Sequence, residues 1–199
     1  MANRRLRYIP ALDGFRGVAV LAVCLYHGGV GWMAGGYLGV DAFFVLSGFL
    51  VGGAVMRAGP AFDWRTYAIA RLSRLWVVLV PALLLTAALD TCVASSWPSI
   101  LSGSHYADWQ SGPSPQGLYA KDWLTALGNL LFLQTLVVPV FGTNTPLWSL
   151  ANESWYYLWF PLAASAAGAL GGRASWRIAA GVAAIGIAFL IALASASAT

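Results

Sequence analysis

The chain alternates long apolar stretches with short polar ones. Between Gly17 and Val40, His27 is the only residue able to titrate near neutral pH, and the stretch is long enough to cross a bilayer. Gly28 to Gly39 is glycine-rich and reads as a tight turn, after which Ala42 to Met56 carries the chain back. Leu75 to Leu89 begins a third apolar stretch, with Pro81 predicting a kink. Ser95 to Asp122 is rich in Ser, Gly, Pro and Trp and reads as a loop. Trp123 to Val140 is apolar but broken by Gly128, Asn129, Gln134 and Pro139, which suits either a full span or a re-entrant half-helix lining a cavity. Pro146 to Leu170 and Ile178 to Ser197 are two further apolar helices. The pattern therefore predicts an all-α fold: a polytopic transmembrane helix bundle of five or six spans, with Trp123 to Val140 as the candidate half-helix.

Composition agrees. Of 199 residues, 59% are hydrophobic and only 9% charged, with a mean hydropathy of +0.71, whereas a soluble domain carries about 25% charged residues. Ten tryptophans and eight tyrosines suit anchors at membrane interfaces. The net charge of +4 comes mostly from arginine, Lys121 being the only lysine. The arginines lie between apolar runs rather than along one polar face, which argues against a nucleic acid partner and for the positive-inside rule. Arg57, Arg65, Arg71 and Arg74 stand against one acid, Asp63, and with Arg4, Arg5 and Arg7 they place the N-terminus and this segment in the cytoplasm. The expected location is thus the cell membrane, multi-pass. The segment Ser95 to Asp122 has a single basic residue and reads as extracytoplasmic, with His105 a surface histidine. If Arg173 and Arg177 are cytoplasmic, Trp123 to Val140 does not cross fully. The N-terminus resembles a signal peptide, but Asp13, Arg16 and His27 interrupt its apolar core, so it reads as a retained first span. Cys24 and Cys92 form neither a disulfide framework nor a zinc spacing and read as small apolar fillers. No metal-ligand set, Walker loop or GxSxG elbow is present in the sequence.

Candidate chemistry lies with the few polar groups inside apolar runs. Arg16 and His27 are eleven positions apart, close to three helical turns, so both point to one face about 16 Å apart along the axis. Ionisable groups inside a membrane are costly and are usually retained for function. In the charge-derived topology, His27 is late in an outward helix and Glu153 early in an inward one, so the two are expected at similar depth, the carboxylate orienting and supporting the imidazole. Asp13 and Arg16 can pair at i,i+3; alternatively, Arg16 contacts an anion at the inner end of a cavity. Arg71 and Arg74 share a face at the cytoplasmic border, where they serve either topology and lipid phosphates or a clamp for a phosphorylated ligand. Gly48 and Gly52 form a small-xxx-small pair suited to close helix approach.

Several blocks together carry a resemblance. Leu12-Asp13-Gly14-Phe15-Arg16-Gly17 running to Tyr26-His27, then Gly39 to Leu50, Arg71-Leu72-Ser73-Arg74, Gly128 to Gln134, and Trp148-Ser149-Leu150 through Glu153 to Tyr156-Tyr157 occur in order over nearly the whole chain to about Pro161. This resembles the membrane-bound acyltransferase-3 family. The resemblance implies transfer of an acyl group, commonly acetyl, from acyl-CoA as co-substrate to a hydroxyl of a carbohydrate, cell-envelope glycan or secreted metabolite, with no permanently bound cofactor. It assigns catalysis to His27, Arg16 and Glu153, acyl-CoA binding to Arg71 and Arg74, and supporting places to Asp13, Trp148, Ser149 and Asn129. Two departures stand out. Asn152-Glu153 keeps one acid where the family often has two, and residues 1–199 correspond to only the N-terminal part of the usual domain. The expected partners are therefore the donor, the hydroxylated acceptor, the lipid bilayer, and a missing C-terminal half or a second copy. The competing expectation is a truncated, non-catalytic half-domain or a transporter-like bundle.

Overall fold

The computed structural model describes residues 10–104, 120–168 and 170. The N-terminal arginines, His105, Arg173, Arg177 and the apolar stretch Ile178 to Ser197 lie outside them. Among the described residues the fold is helical, with two isolated β-bridges and no strand. The helices are α1 (Pro10–His27), α2 (Leu38–Ala58), α3 (Trp64–Ser96), the single turn α4 (Pro98–Leu101), α5 (Trp123–Leu130) and α6 (Leu147–Ala166).

Two helical stretches, Leu38–Ala61 and Trp64–Ser96, are long and apolar enough to cross a membrane. Only 17% and 22% of their most apolar windows are buried inside the protein. Val45, Phe49, Val77, Leu84, Leu85 and Leu89 all face outward. In water such surface would be strongly unfavourable; against lipid it is the expected exterior. Cys24 and Cys92 are free and also lie on this exterior, not in the interior as small fillers would. A compact thiol suits lipid contact as well as it suits a core. At 18 and 20 residues, α1 and α6 also reach spanning length, with Asp13, Arg16 and His27 on the first and Asn152 and Glu153 on the second.

α3 differs from expectation at its start. It begins at Trp64 rather than Leu75, so Arg65, Arg71 and Arg74 sit on its first turns. Its 33 residues extend about 50 Å, more than the bilayer's hydrocarbon core needs. Asp63 precedes the helix and accepts from the Thr66 amide at 2.9 Å; hydrogen bonding from Thr66 holds its carboxyl below the usual range.

Trp123 to Val140 is not a continuous helix. α5 is eight residues long, capped by the Asp122 carboxylate, which accepts from the Thr125 amide (2.9 Å) and hydroxyl (2.7 Å). These bonds lower the Asp122 carboxyl as well. The chain then turns through Phe132 and Thr135, both with positive φ (58° and 69°), and comes back to bridge Phe141 to Ala120. Non-glycine residues rarely adopt this conformation, and two within four positions mark a tightly constrained turn. About 12 Å of helix cannot cross a bilayer, and entry and exit lie side by side.

The chain divides into two compact units. The first holds residues 10–47 and 76–152 of the described chain, with Leu79, Leu83, Phe132, Phe141, Leu147 and Ala151 buried in it. In the second, residues 48–75 and 153–170, Val51, Val55, Ala164 and Leu170 form a cluster with Phe62, Tyr67 and Tyr157 packed on it. Here Gly52 admits the Phe160 ring so closely that an added Cβ would come within 2.7 Å of it, while Gly48 has open space. Of the small-xxx-small pair, only Gly52 makes the close approach.

Candidate functional site

In the first unit, α1 is unbroken from Pro10 to His27, so Arg16 and His27 keep the helical spacing that places them on one face. His27 is the last helical residue and is exposed. The helix is stopped just after it by backbone geometry. The Gly29 amide donates to the Tyr26 carbonyl (3.1 Å) and the Val30 amide to that of Leu25 (3.1 Å), with Gly29 at φ +74°. This is the left-handed termination that glycine allows without Cβ strain. Tyr26 lies edge-on to His27, with ring centroids 5.1 Å apart, and to Tyr37 at 5.8 Å. The start of α2 is pressed on this end of α1. A Cβ at Gly36 or Gly39 would fall within 2.3 or 2.5 Å of the Ala22 or Ala19 carbonyl oxygen.

Arg16 and Asp13 do pair, at 3.9 Å with both side chains about half exposed. Such a pair contributes little. The Arg16 guanidinium also lies 6.0 Å from the centroid of the Phe43 ring. The next residue of α2, Phe44, meets Trp148 edge-on at 6.0 Å. Ser149 is engaged locally, its hydroxyl donating to the Pro146 carbonyl at 2.8 Å.

Asn129 is fully buried and ties the hairpin together. Its amide donates to the carbonyls of Thr125 (2.8 Å) and Pro139 (3.0 Å), and its Oδ1 accepts from the Phe141 amide at 3.1 Å. Its support is therefore architectural. Gln134, also fully buried, donates from Nε2 to the Leu147 carbonyl (2.9 Å) and so joins the hairpin to the start of α6.

A further buried acid, Asp90, escaped the reading of the sequence. It accepts from the Thr143 hydroxyl (2.6 Å) and amide (3.0 Å), while Asn144 donates to the Thr86 hydroxyl at 2.9 Å. Gly142, at φ +58°, passes so close that a Cβ would come within 2.2 Å of the Asp90 carboxylate. The signal was present: Asp90 is an acid within the apolar run that follows Leu75.

The second unit holds Arg71, Arg74 and Glu153. The two arginines are not equivalent, since Arg74 is exposed and Arg71 is half-buried. The Arg71 guanidinium lies between two rings, 5.6 Å from the Tyr67 centroid and 5.4 Å from that of Tyr157. Its Nε is buried without a hydrogen-bond partner, and Arg71 makes no ion pair among the described residues. Tyr67 donates its hydroxyl to the Tyr157 carbonyl at 2.8 Å. Tyr157 in turn donates its hydroxyl to Glu153. Glu153 thus belongs to the arginine's unit and His27 to the other. The two tyrosines were missed as site residues, although Tyr67 lies four positions before Arg71 and Tyr157 four after Glu153, the spacing that joins side chains on a helix.

The sequence profile of a family described as an acyltransferase domain matches residues 9–198. The chain is 32% identical over 160 residues to the O-acetyltransferase OatA of Staphylococcus aureus (strain NCTC 8325 / PS 47), covering 78% of this chain and 24% of that protein. A protein of Staphylococcus aureus (strain COL), provisionally named an O-acetyltransferase, is 29% identical over 159 residues, covering 80% of this chain and 25% of its own length. The chain therefore spans about a quarter of the length of the curated relatives it matches. No solved structure matches it.

Proposed function

The chain belongs to the acyltransferase-3 family, and on that premise we propose that it carries the donor-binding and proton-transfer residues of a multi-pass membrane O-acyltransferase. The relatives' names point to acetyl as the group moved and to a hydroxyl as its acceptor. The acceptor class we propose is a carbohydrate, a cell-envelope glycan or a secreted metabolite. Arg71 carries the reading. A guanidinium fixed between two rings, with a buried unpartnered Nε and no ion pair among the described residues, is a cation prepared for an anion. The phosphates of acyl-CoA supply that anion, and guanidinium matches phosphate oxygens bidentately.

His27 supplies the base. Its imidazole takes the proton of the acceptor hydroxyl as the oxygen attacks the thioester carbonyl; the C–S bond breaks, and the proton passes on to the departing CoA thiolate. Arg16, on the same face of α1 but about 16 Å along the axis towards its inner end, is a second cation for the anionic groups of the donor. The basic first turns of α3 favour a cytoplasmic N-terminus for the whole chain, with the donor entering from that side.

His27→Ala is expected to abolish acetyl transfer while membrane insertion stays normal; retained activity would remove the base from the mechanism. Arg71→Ala should raise the KM for acetyl-CoA by tenfold or more, on the order expected for a charge-assisted contact. Arg74→Ala, at an exposed position, should raise it by about threefold or less.

A further inference from the structure

Arg71 is held by two tyrosines to which neither the family assignment nor the acyl-transfer mechanism gives a role. Tyr67 lies one turn before it on α3, and Tyr157 comes from α6. Their rings stand at nearly equal distances from the guanidinium carbon, 5.6 and 5.4 Å. The rings are themselves fixed: Tyr67 is bonded to the Tyr157 carbonyl, and the Tyr157 hydroxyl to Glu153. Both tyrosines pack on the cluster of Val51, Val55, Ala164 and Leu170. Arginine has several rotatable bonds, and ordering it costs entropy each time a ligand binds. Two fixed π faces remove that cost beforehand without neutralising the charge, as a carboxylate partner would.

Resting on the donor-binding role of Arg71, we propose that Tyr67 and Tyr157 are positioning residues that hold its guanidinium ready for the phosphates of the acyl donor, and that Glu153 acts on the same site through the Tyr157 hydroxyl. A phenol that donates to a carboxylate gains electron density in its ring, which strengthens the ring's attraction for a cation. Glu153 thereby tunes the anion site through the Tyr157 ring.

The test uses the full chain in membranes and two acetyl donors, acetyl-CoA and S-acetylpantetheine, which lacks the nucleotide phosphates. Tyr157→Leu and Tyr67→Leu should each raise the KM for acetyl-CoA by about tenfold, the scale of a desolvated cation–π contact, and leave the KM for S-acetylpantetheine and both kcat values within about twofold. Tyr157→Phe, which keeps the ring, should restore most of the acetyl-CoA KM, with Glu153→Gln behaving like it. If the leucine variants weaken both donors equally, or fail to insert while Tyr157→Phe loses as much acetyl-CoA affinity as they would, the tyrosines are structural and the proposal falls. If Arg71→Ala raises the acetyl-CoA KM but Tyr157→Leu and Tyr67→Leu do not, the positioning role alone is overturned. If Arg71→Ala itself leaves that KM unchanged, the donor-binding reading falls and the proposal with it.

Discussion

At the scale of single residues, polar groups in this chain divide by what their neighbours leave them to do. Asn129 and Asp90 have their hydrogen-bonding capacity taken up by the backbone and by threonine. Arg71 is flanked by rings and makes no ion pair among the described residues. The first two therefore act as struts, and the last has the setting on which its proposed role as an anion receptor rests. Replacing Asp90 by Ala leaves the part-buried amide and hydroxyl of Thr143 without their acceptor and should destabilise the protein by about 1–3 kcal/mol. Asp90→Asn, which keeps one acceptor, should cost less. Thermal unfolding in detergent, read by tryptophan fluorescence, would rank the two.

At the scale of elements, the short hairpin around α5 and the end of α1 are both set by local backbone chemistry. Asp122 caps α5, and because Thr125 holds its carboxyl below the ordinary value of 3.8, the sign of its pH dependence follows. The cap's contribution is present above the unfolded carboxyl's pKa and is lost as pH falls through the lower folded one. The α1 end depends on contacts too close for a side chain. Gly39→Val should force the start of α2 away from the Ala19 carbonyl and cost about 1–3 kcal/mol by overpacking, and on the proposed role of His27 it should lower acetyl transfer. An unchanged melting temperature in that variant would contradict the close approach.

At the scale of the molecule, α2 and α3 present apolar exteriors that water would not tolerate, whereas the hairpin brings Ala120 back beside Phe141. With Cys24 and Cys92 replaced by serine, single cysteines at Lys121 and Thr145, both exposed, should react with an impermeant maleimide from the same side of the membrane. A cysteine at Arg57 should react from the other side. Labelling of Lys121→Cys and Thr145→Cys from opposite sides would turn the hairpin into a full span.

The apolar periodicity and charge placement by themselves determined the helical class, the turn after His27, the start of α6 near Pro146 and the spacing of Arg16 and His27. All of these rest on local rules: the length of an apolar run, glycine after a helix, and the fixed rise per residue. The family, too, was legible in the ordered motif blocks. Other features needed the folded chain. The run Trp123 to Val140 has the same composition whether it crosses or turns back, and the hydrogen bonds of Asn129 to Pro139 and Phe141 decide for the turn. Arg71 and Arg74 are equal in the sequence; Tyr157, 86 positions from Arg71, makes them unequal. Glu153 was expected beside His27 from depth alone; the structure shows that it accepts a hydrogen bond from Tyr157. Such pairings between distant segments depend on which faces pack together, and no local pattern of hydrophobicity or charge encodes that.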